Sequence, residues 1–402
     1  MKVLFLSWEY PPHLSGGLGQ HVKDLVPALL EINPALELHV ITPALGEETS
    51  HESLGRLHVH RVGALLPSDE RIYDDVLAVN PAFVAVAQQL MKASGPFDLI
   101  HVHDWLLSFA AIELQEAFDL PLVATIHATE RGRYRGALYS DMSRAIDAAE
   151  SRLVQQARHV ITCSVAMQHE VRDFYGVPVE RISVIPNGID GSRLRSLSTQ
   201  DLSAFRRCYA RPDERIVFNV GRMVYEKGAD LLVETAPQVL SQAPDAKFVI
   251  GGRGPLFPSL RQRIDDLNLH EKVMLTGFLT DDERDQLYVV ADVCVFPSRY
   301  EPFGIVALES MAAGTPVVVS DVGGLGTVVQ HEQTGLTAYA EDVYSLARAI
   351  VRVLNDPQTA SARAKLAQEY VEDCLAWPVI AGMTRDVYQA VLGTRNRLLV
   401  FE

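Results

Sequence analysis

Short apolar runs alternate along the chain with longer segments whose apolar residues recur at helical spacing. Val3-Leu4-Phe5-Leu6 is an uninterrupted run of the kind that parallel sheets bury on both faces. A glycine-rich loop from Trp8 to Gly19 follows, then Val22, Leu25, Val26, Leu29 and Leu30 at the spacing of one helix face. Further strands are predicted over 38–42, 57–62, within 98–105, over 120–126, 160–163 and 182–185. Ser140 to Ala157 reads as an amphipathic helix, and Ser164 as the N-cap of another. The turn cluster Pro186-Asn187-Gly188-Ile189-Asp190 and a polar, Ser- and Arg-rich stretch from Gly191 to Gln200 read as a hinge and linker. The pattern then restarts: strand 216–220, loop Gly221–Gly228, helix 229–240, strand 247–250. Thr280 and Glu283 have capping-box spacing at the start of a helix running toward Tyr288. Strands 293–296 and 317–320 come next, then amphipathic helices over 342–354 and 360–370. Trp377-Pro378 breaks the chain before a last helix reaching about Leu392.

Two openings of strand, glycine loop and helix predict an α/β protein of two Rossmann-like halves. The expected division is 1–190, 191–375 and a C-terminal helix within 376–402. A chain of 402 residues is of the length that suits two domains.

The stretch Arg299 to Glu309 joins an apolar strand to an apolar helix and carries the carboxylates of Glu301 and Glu309 near its ends. Pro302 suits a helix start, because its missing N–H is not needed there. Unpaired N–H groups at a helix N-terminus favour an anion such as a phosphate. Carboxylates beside such a site can accept hydrogen bonds from sugar hydroxyls. A solvated loop glutamate plus one on the polar helix face is the alternative reading. Arg222 and Lys227 share one glycine-flanked loop. Preorganised cations there would stabilise a departing diphosphate more in the transition state than in the ground state. Gly251-Gly252-Arg253-Gly254 and Asp321-Val322-Gly323-Gly324 are further glycine loops at strand ends, where backbone can approach a ligand.

A net charge of −15 argues against a nucleic-acid binder or a protein held on anionic lipid by a basic surface. Cys163, Cys208, Cys294 and Cys374 form no C-x-x-C pair, which fits a reducing cytoplasm. No run approaches the ~20 apolar residues needed to span a bilayer. Neither a D-x-D motif nor a His/Cys group with metal-ligand spacing is present in the linear sequence. Arg131, Arg133 and Arg135 cluster in one loop of an acidic chain. They read either as solvated charge or as recognition of a phosphate or carboxylate.

These motifs, in this order, resemble glycosyltransferase family 4: E-x7-E at Glu301 and Glu309, G-R-x-x-x-x-K-G at 221–228, H-D-W at 103–105 and P-N-G-I-D at 186–190. The resemblance covers nearly the whole chain and is strongest to glycogen and starch synthase-type members. It implies the GT-B organisation, two facing Rossmann-like domains with a C-terminal helix crossing back to the first. It also implies a retaining, metal-independent hexosyltransferase using an ADP-, UDP- or GDP-linked sugar, with no other cofactor. On that basis Arg222 and Lys227 meet the diphosphate, and Glu301 holds the transferred sugar. His127 places the reacting centre, and Glu309 binds the ribose. Gly16, Gly17, Gly221, Gly252, Phe303, Gly304 and Ile305 complete the donor side. Backbone between Gly277 and Asp281 contacts the base. Glu9, His103, Asp104, Trp105, Arg131 and Arg133 fall on the acceptor side. His101 reads as a core histidine. The chain departs from ADP-glucose-using glycogen synthases at one point: the lysine of their K-x-G-G-L motif is Leu14. An α-glucan acceptor, a small phosphorylated or acidic acceptor, and a sugar-nucleotide epimerase on the same fold remain the readings in play.

Overall fold

A computed structural model describes residues 1–14, 16–64, 68 and 71–399, and only the backbone for 394–399. Ser15 of the first glycine loop and the end of the 376–402 segment lie outside the described residues. The chain divides into two compact units. Unit 1 is Met1–Gly188 with Trp377–Glu402, and unit 2 is Ile189–Ala376.

Unit 1 contains β1 (Lys2–Leu6), β2 (Glu37–Leu45), β3 (Ser50–Leu54), β4 (Leu57–Ala64), β5 (Leu99–His103), β6 (Leu122–Ile126), β7 (His159–Thr162) and β8 (Ile182–Val184). They form one sheet in the order β3-β4-β2-β1-β5-β6-β7-β8. All pairings are parallel except β3 with β4. Val3, Leu4, Phe5 and Leu6 are wholly buried, as a central strand covered on both faces requires. The helix Gly17–Ile32 turns His21, Val22, Leu25, Val26 and Leu29 inward. The final helix, Trp377–Leu399, packs against it.

The helix Ile72–Ser94 has no counterpart in the sequence reading, because Asn80, Pro81 and a glutamine pair interrupt its apolar stripe. Among the described residues it is the one helix long and apolar enough to cross a membrane by length and composition. In the fold it lies against β4 and the helix Ser108–Phe118, burying Val76, Asn80, Phe83, Val84 and Ala87.

Unit 2 contains β9 (Arg215–Val220), β10 (Ala246–Gly251), β11 (Val273–Gly277), β12 (Val293–Phe296), β13 (Val317–Ser320) and β14 (Leu336–Ala338). The sheet is wholly parallel, in the order β11-β10-β9-β12-β13-β14. Renumbered from its first strand this is 3-2-1-4-5-6, the doubly wound order. Val217, Phe248, Ile250, Val293, Val295 and Val318 form the centre of its core. Thr280 and Glu283 make the expected reciprocal capping box. The stretch read as a linker is instead the helix Ser192–Ser198, which buries Leu194 within unit 2. Two leucines among serines and arginines, only one of them buried, carry too weak a periodicity to be read as a helix. Each sheet reverses its winding once, between β1 and β5 in unit 1 and between β9 and β12 in unit 2. Ligands of open parallel sheets bind beyond the carboxyl ends of strands at such reversals.

Candidate active site

In unit 2 the reversal brings together the loop after β9 and the loop after β12. Lys227 sits in a single 3₁₀ turn, Tyr225–Lys227, ahead of the helix Ala229–Leu240. Gly228 has φ +67°, and a Cβ there would lie 2.0 Å from the Pro297 carbonyl oxygen, so the two loops interlock only with glycine at this position. Lys227 Nζ donates to Glu301 Oε2 at 2.6 Å, and Ser298 Oγ donates to the same oxygen at 3.3 Å. Glu301 is buried, and Lys227 is about three-tenths exposed. Arg222 and Glu301 line the same small hollow with Asn219 and Gly221. The Arg222 side chain is exposed and makes no ion pair among the described residues.

Arg299 locks this arrangement. It donates to both carboxylate oxygens of Asp230 (2.8 and 2.6 Å) and to the Tyr225 carbonyl at 2.7 Å. It also donates to Glu341 at 3.1 Å and stacks over the Tyr225 ring at 4.1 Å. Planar bidentate pairing of this kind fixes orientation as well as charge. The sequence reading did not single out Arg299, whose partners lie far off in the chain.

The helix after β12 begins later than Pro302 suggested. It spans Ile305–Ala312, with Gly304 as N-cap at φ +103°. Pro302 and the buried Phe303 belong to the loop. A Cβ on Gly304 would meet Leu325 at 2.4 Å, so glycine here satisfies both backbone and packing. Gly323 and Gly324 seat the next loop against Glu301–Phe303, with Gly324 N donating to the Glu301 carbonyl at 2.8 Å. Glu309 is the fifth residue of the helix. Its Oε2 accepts from Tyr288 Oη at 2.7 Å, and Oε1 lies 3.9 Å from Arg284. Burial pushes its carboxyl up, while the Arg284 charge and the Tyr288 hydroxyl pull it back.

Gly252 has a different reason for being glycine from the one expected. Its φ is +125°, and a Cβ would stand 1.9 Å from the Gly221 carbonyl oxygen. It lets two strand-end loops touch. At Gly221 a Cβ would approach only Lys227 Cγ, at 4.0 Å. Gly221, not Gly252, therefore has an open face.

In unit 1 the loops after β1, β5 and β6 meet the start of the last helix. His127 Nε2 lies 3.0 Å from His103 Nδ1, so the two rings share one proton. His21 Nδ1 lies 2.7 Å from Asn187 Oδ1, and its ring meets those of His127 and Trp377 edge-on. His101 is bonded to Tyr388 Oη (2.6 Å) and Thr125 Oγ1 (2.7 Å), a core histidine. Burial lowers His21 to about 4 and His101 to about 3, and holds His103 and His127 well below the ordinary imidazole range. These rings are neutral at neutral pH.

His21, His103 and His127 also bring ligand nitrogens within 4.8 Å of one another. Positions 21, 103 and 127 have no linear ligand spacing, so only the fold reveals this group. The contact between His103 and His127 uses one nitrogen on each ring, and His103 Nε2 is buried without a hydrogen-bond partner among the described residues.

The predicted acceptor residues separate into two kinds. Asp104 Oδ1 accepts from the His127 backbone N–H at 2.7 Å and so sets the His127 loop. Burial raises its carboxyl to about 7, against the pull of those backbone donors and of Arg133. Trp105 is buried beside Tyr73. Arg131 donates through Nε and Nη2 to Asp147 at 2.6 and 2.8 Å, an internal ion pair that occupies one edge of its guanidinium. Arg133 is exposed. Glu9 Oε2 accepts from Gly16 N–H at 3.1 Å, at the N-cap of the helix Gly17–Ile32. Gly16 has extended φ (−160°), and a Cβ there would meet nothing within 4 Å. His21 and Asn187 were missed as site residues. His21 shares the apolar face of its helix with Leu25, a signal the sequence did contain.

Both units match known families. A model described as Glycosyltransferase Family 4 covers residues 15–193, and one described as Glycosyl transferases group 1 covers residues 204–370. An uncharacterized glycosyltransferase of Methanocaldococcus jannaschii is 36% identical over 408 residues, spanning 99% of this chain and 100% of its own. A glycogen synthase of Mycobacterium tuberculosis is 36% identical over 404 residues, 97% of this chain and 95% of its own. The solved sucrose-phosphate synthase from Thermosynechococcus elongatus superimposes with a TM-score of 0.81 at 26% identity, covering 98% and 99% of the two chains. With its GT-B fold, the chain belongs to the group 1 glycosyltransferases of family 4.

Proposed function

We propose that the protein transfers a hexose, glucose, from a nucleotide diphospho-sugar to a hydroxyl acceptor of the α-glucan class, with retention and without a divalent metal. The observation that carries this is the pairing of Lys227 with the buried Glu301 beside the unpaired Arg222. In this reading the two cations bind the diphosphate and take up the charge that develops as the sugar–phosphate bond breaks. The N–H groups at Gly304 and Ile305 add donors at the helix start. Glu301 accepts from hydroxyls of the sugar, and Lys227 fixes its direction. Glu309, held by Tyr288, accepts from the ribose, and the backbone near the exposed Phe278 meets the base. The new bond forms on the face the diphosphate leaves, and the acceptor proton passes to the departing phosphate oxygen. Neutral His127 positions a hydroxyl through Nδ1, since Nε2 is bonded to His103. The open faces of Gly16 and Gly221 leave room for ligand backbone contacts.

The relative named glycogen synthase supports the glucan acceptor. A small phosphorylated acceptor is the second reading. It is favoured by the exposed Arg133 and by the relative named sucrose-phosphate synthase. The test is nucleotide release from ADP-, UDP- and GDP-glucose with glucan, maltose or a phosphorylated sugar, with and without chelator. Acceptor-dependent release that survives chelation supports the proposal, and the acceptor that promotes it decides between the readings. Release without any acceptor would instead indicate hydrolysis or epimerase chemistry.

A further inference from the structure

At the edge of the unit 1 sheet where β2 and β4 begin, the structure gathers His39, His51, His58 and His60, out of 13 histidines in the chain. The register explains the gathering. His39 pairs with His58 across β2 and β4, while His51 pairs with His60 and Ser53 with His58 across β3 and β4. Glu37 and His39, like His58 and His60, are two apart on a strand and so project from the same face. His39 is stacked on His58 with ring centroids 4.4 Å apart.

We propose that Glu37, His39 and His58 form a binding site for a divalent transition-metal ion, zinc being the best match to two imidazoles and a carboxylate. Glu37 Oε1 lies 2.8 Å from His39 Nε2 and 3.8 Å from His58 Nε2, and the three ligand atoms all lie within 4.8 Å of one another. A tetrahedral ion with bonds of about 2.0–2.1 Å sets its ligands roughly 3.3 Å apart, inside that range.

The second ring nitrogens make this more than a crowd of histidines. His39 Nδ1 lies 3.2 Å from His60 Nε2, and His58 Nδ1 lies 2.9 Å from Ser53 Oγ. A metal-bound imidazole needs a partner at its other nitrogen to fix tautomer and orientation, and both ligands have one. When the ion binds, the His39 proton moves from Nε2, where it faces Glu37, to Nδ1, and the His60 proton moves from Nε2 to Nδ1, so that His39 Nδ1 donates to His60 Nε2. Both rings stay neutral.

The site opens on a cavity of about 580 Å³ lined also by Gln89 and Leu90, which leaves the remaining coordination position to water or a small ligand. One group opposes the ion. Lys2 Nζ lies 3.3 Å from Glu37 Oε1, although it also donates to the Ser94 carbonyl at 2.7 Å. Lys2 therefore competes for the carboxylate. An ion here ties β2 to β4 and, through Ser53, holds the exposed β3 hairpin. It stabilises unit 1 without entering the transfer chemistry.

The experiment uses untagged, chelator-stripped full chain titrated with Co²⁺ and then Zn²⁺, read by visible cobalt absorption, calorimetry and thermal unfolding. One equivalent of Co²⁺ should give a saturable spectrum that Zn²⁺ displaces, with a rise in Tm and unchanged turnover. Ser53→Ala should weaken binding by about 10-fold, and His58→Ala by roughly 100-fold or more. Lys2→Ala should tighten binding. His58 is partly exposed, so its variant should keep the native circular dichroism. Absence of a saturable cobalt spectrum, or the same affinity in His58→Ala, would overturn the proposal.

Discussion

The two units solve the handling of charge in opposite ways. The loops of unit 2 keep charge in play: Arg222 exposed, Lys227 paired to Glu301, and Arg299 spread over Asp230 and Glu341. The histidine-lined end of the unit 1 sheet suppresses it. His21, His103 and His127 are held neutral by burial, and Asp104 titrates near neutrality. A charged diphosphate suits the first environment, and an uncharged hydroxyl that must lose its proton late suits the second. The same doubly wound geometry thus carries two kinds of loop chemistry, differing in which residues follow the central strands.

The contrast breaks most sharply at the cations. Lys227→Ala or Arg222→Ala should lower kcat by about 10²–10³-fold while moving KM less, the size expected for losing one preorganised donor to developing charge. A double-mutant cycle of Lys227→Ala with Glu301→Ala should be strongly non-additive, because the two side chains act as one unit. Additive losses would show that Glu301 works independently of Lys227.

In unit 1, His127→Ala should reduce turnover by about 10²-fold with little change in nucleoside diphosphate affinity. Asp104→Asn should act through the His127 loop and cost less. A drop in diphosphate affinity for either variant would contradict the separation of roles.

Arg131 and Arg133 sharpen the comparison within one loop. Arg131→Ala leaves the buried Asp147 carboxylate without its fork and should cost about 2 kcal/mol of stability, discounted for the partial exposure of Arg131. Arg133→Ala should leave stability unchanged and raise KM only for a charged acceptor. Denaturant unfolding and acceptor kinetics read the two effects separately.

The smallest effect is the pH dependence of stability. The buried histidines have folded pKa values below their unfolded value of 6.5, so their stabilisation is present above 6.5 and is lost as pH falls, toward about 4 for His21 and about 3 for His101. Asp104 has the opposite sign. Its folded value is raised to about 7 from 3.8, so its contribution is full below 3.8 and is lost as pH rises through 7. Unfolding midpoints between pH 4 and 7 should therefore fall with acidity in the wild type, and more steeply in Asp104→Asn.

How much was legible depended on the kind of signal. β12 and β13 match their expected spans, and β1 and β9 do so within a residue, because a strand buried on both faces is a continuous apolar run. β3 was invisible because all five of its residues are exposed, so no alternation marks it. The Ile72–Ser94 helix was hidden by the polar residues that interrupt its stripe, and Ser192–Ser198 by having a single buried anchor. In the candidate site, Lys227 and Glu301 stood out because each lies in a compact linear motif. Their mutual contact spans 74 positions and did not. Arg299, His21 and Asn187 owe their places to partners distant in sequence. Glycine was ambiguous for a physical reason: Gly252 serves another loop, Gly221 opens outward, and the letter is the same.

The central claim is that two side-chain cations, not a metal ion, carry the charge of the departing diphosphate. The direct measurement is acceptor-dependent nucleotide release in excess chelator by the wild type and by Lys227→Met. The account predicts that the wild type keeps its full rate and that the variant loses about 10²–10³-fold, unrescued by Mg²⁺. A wild type silenced by chelator and restored by Mg²⁺, or a variant as fast as the wild type, would contradict it.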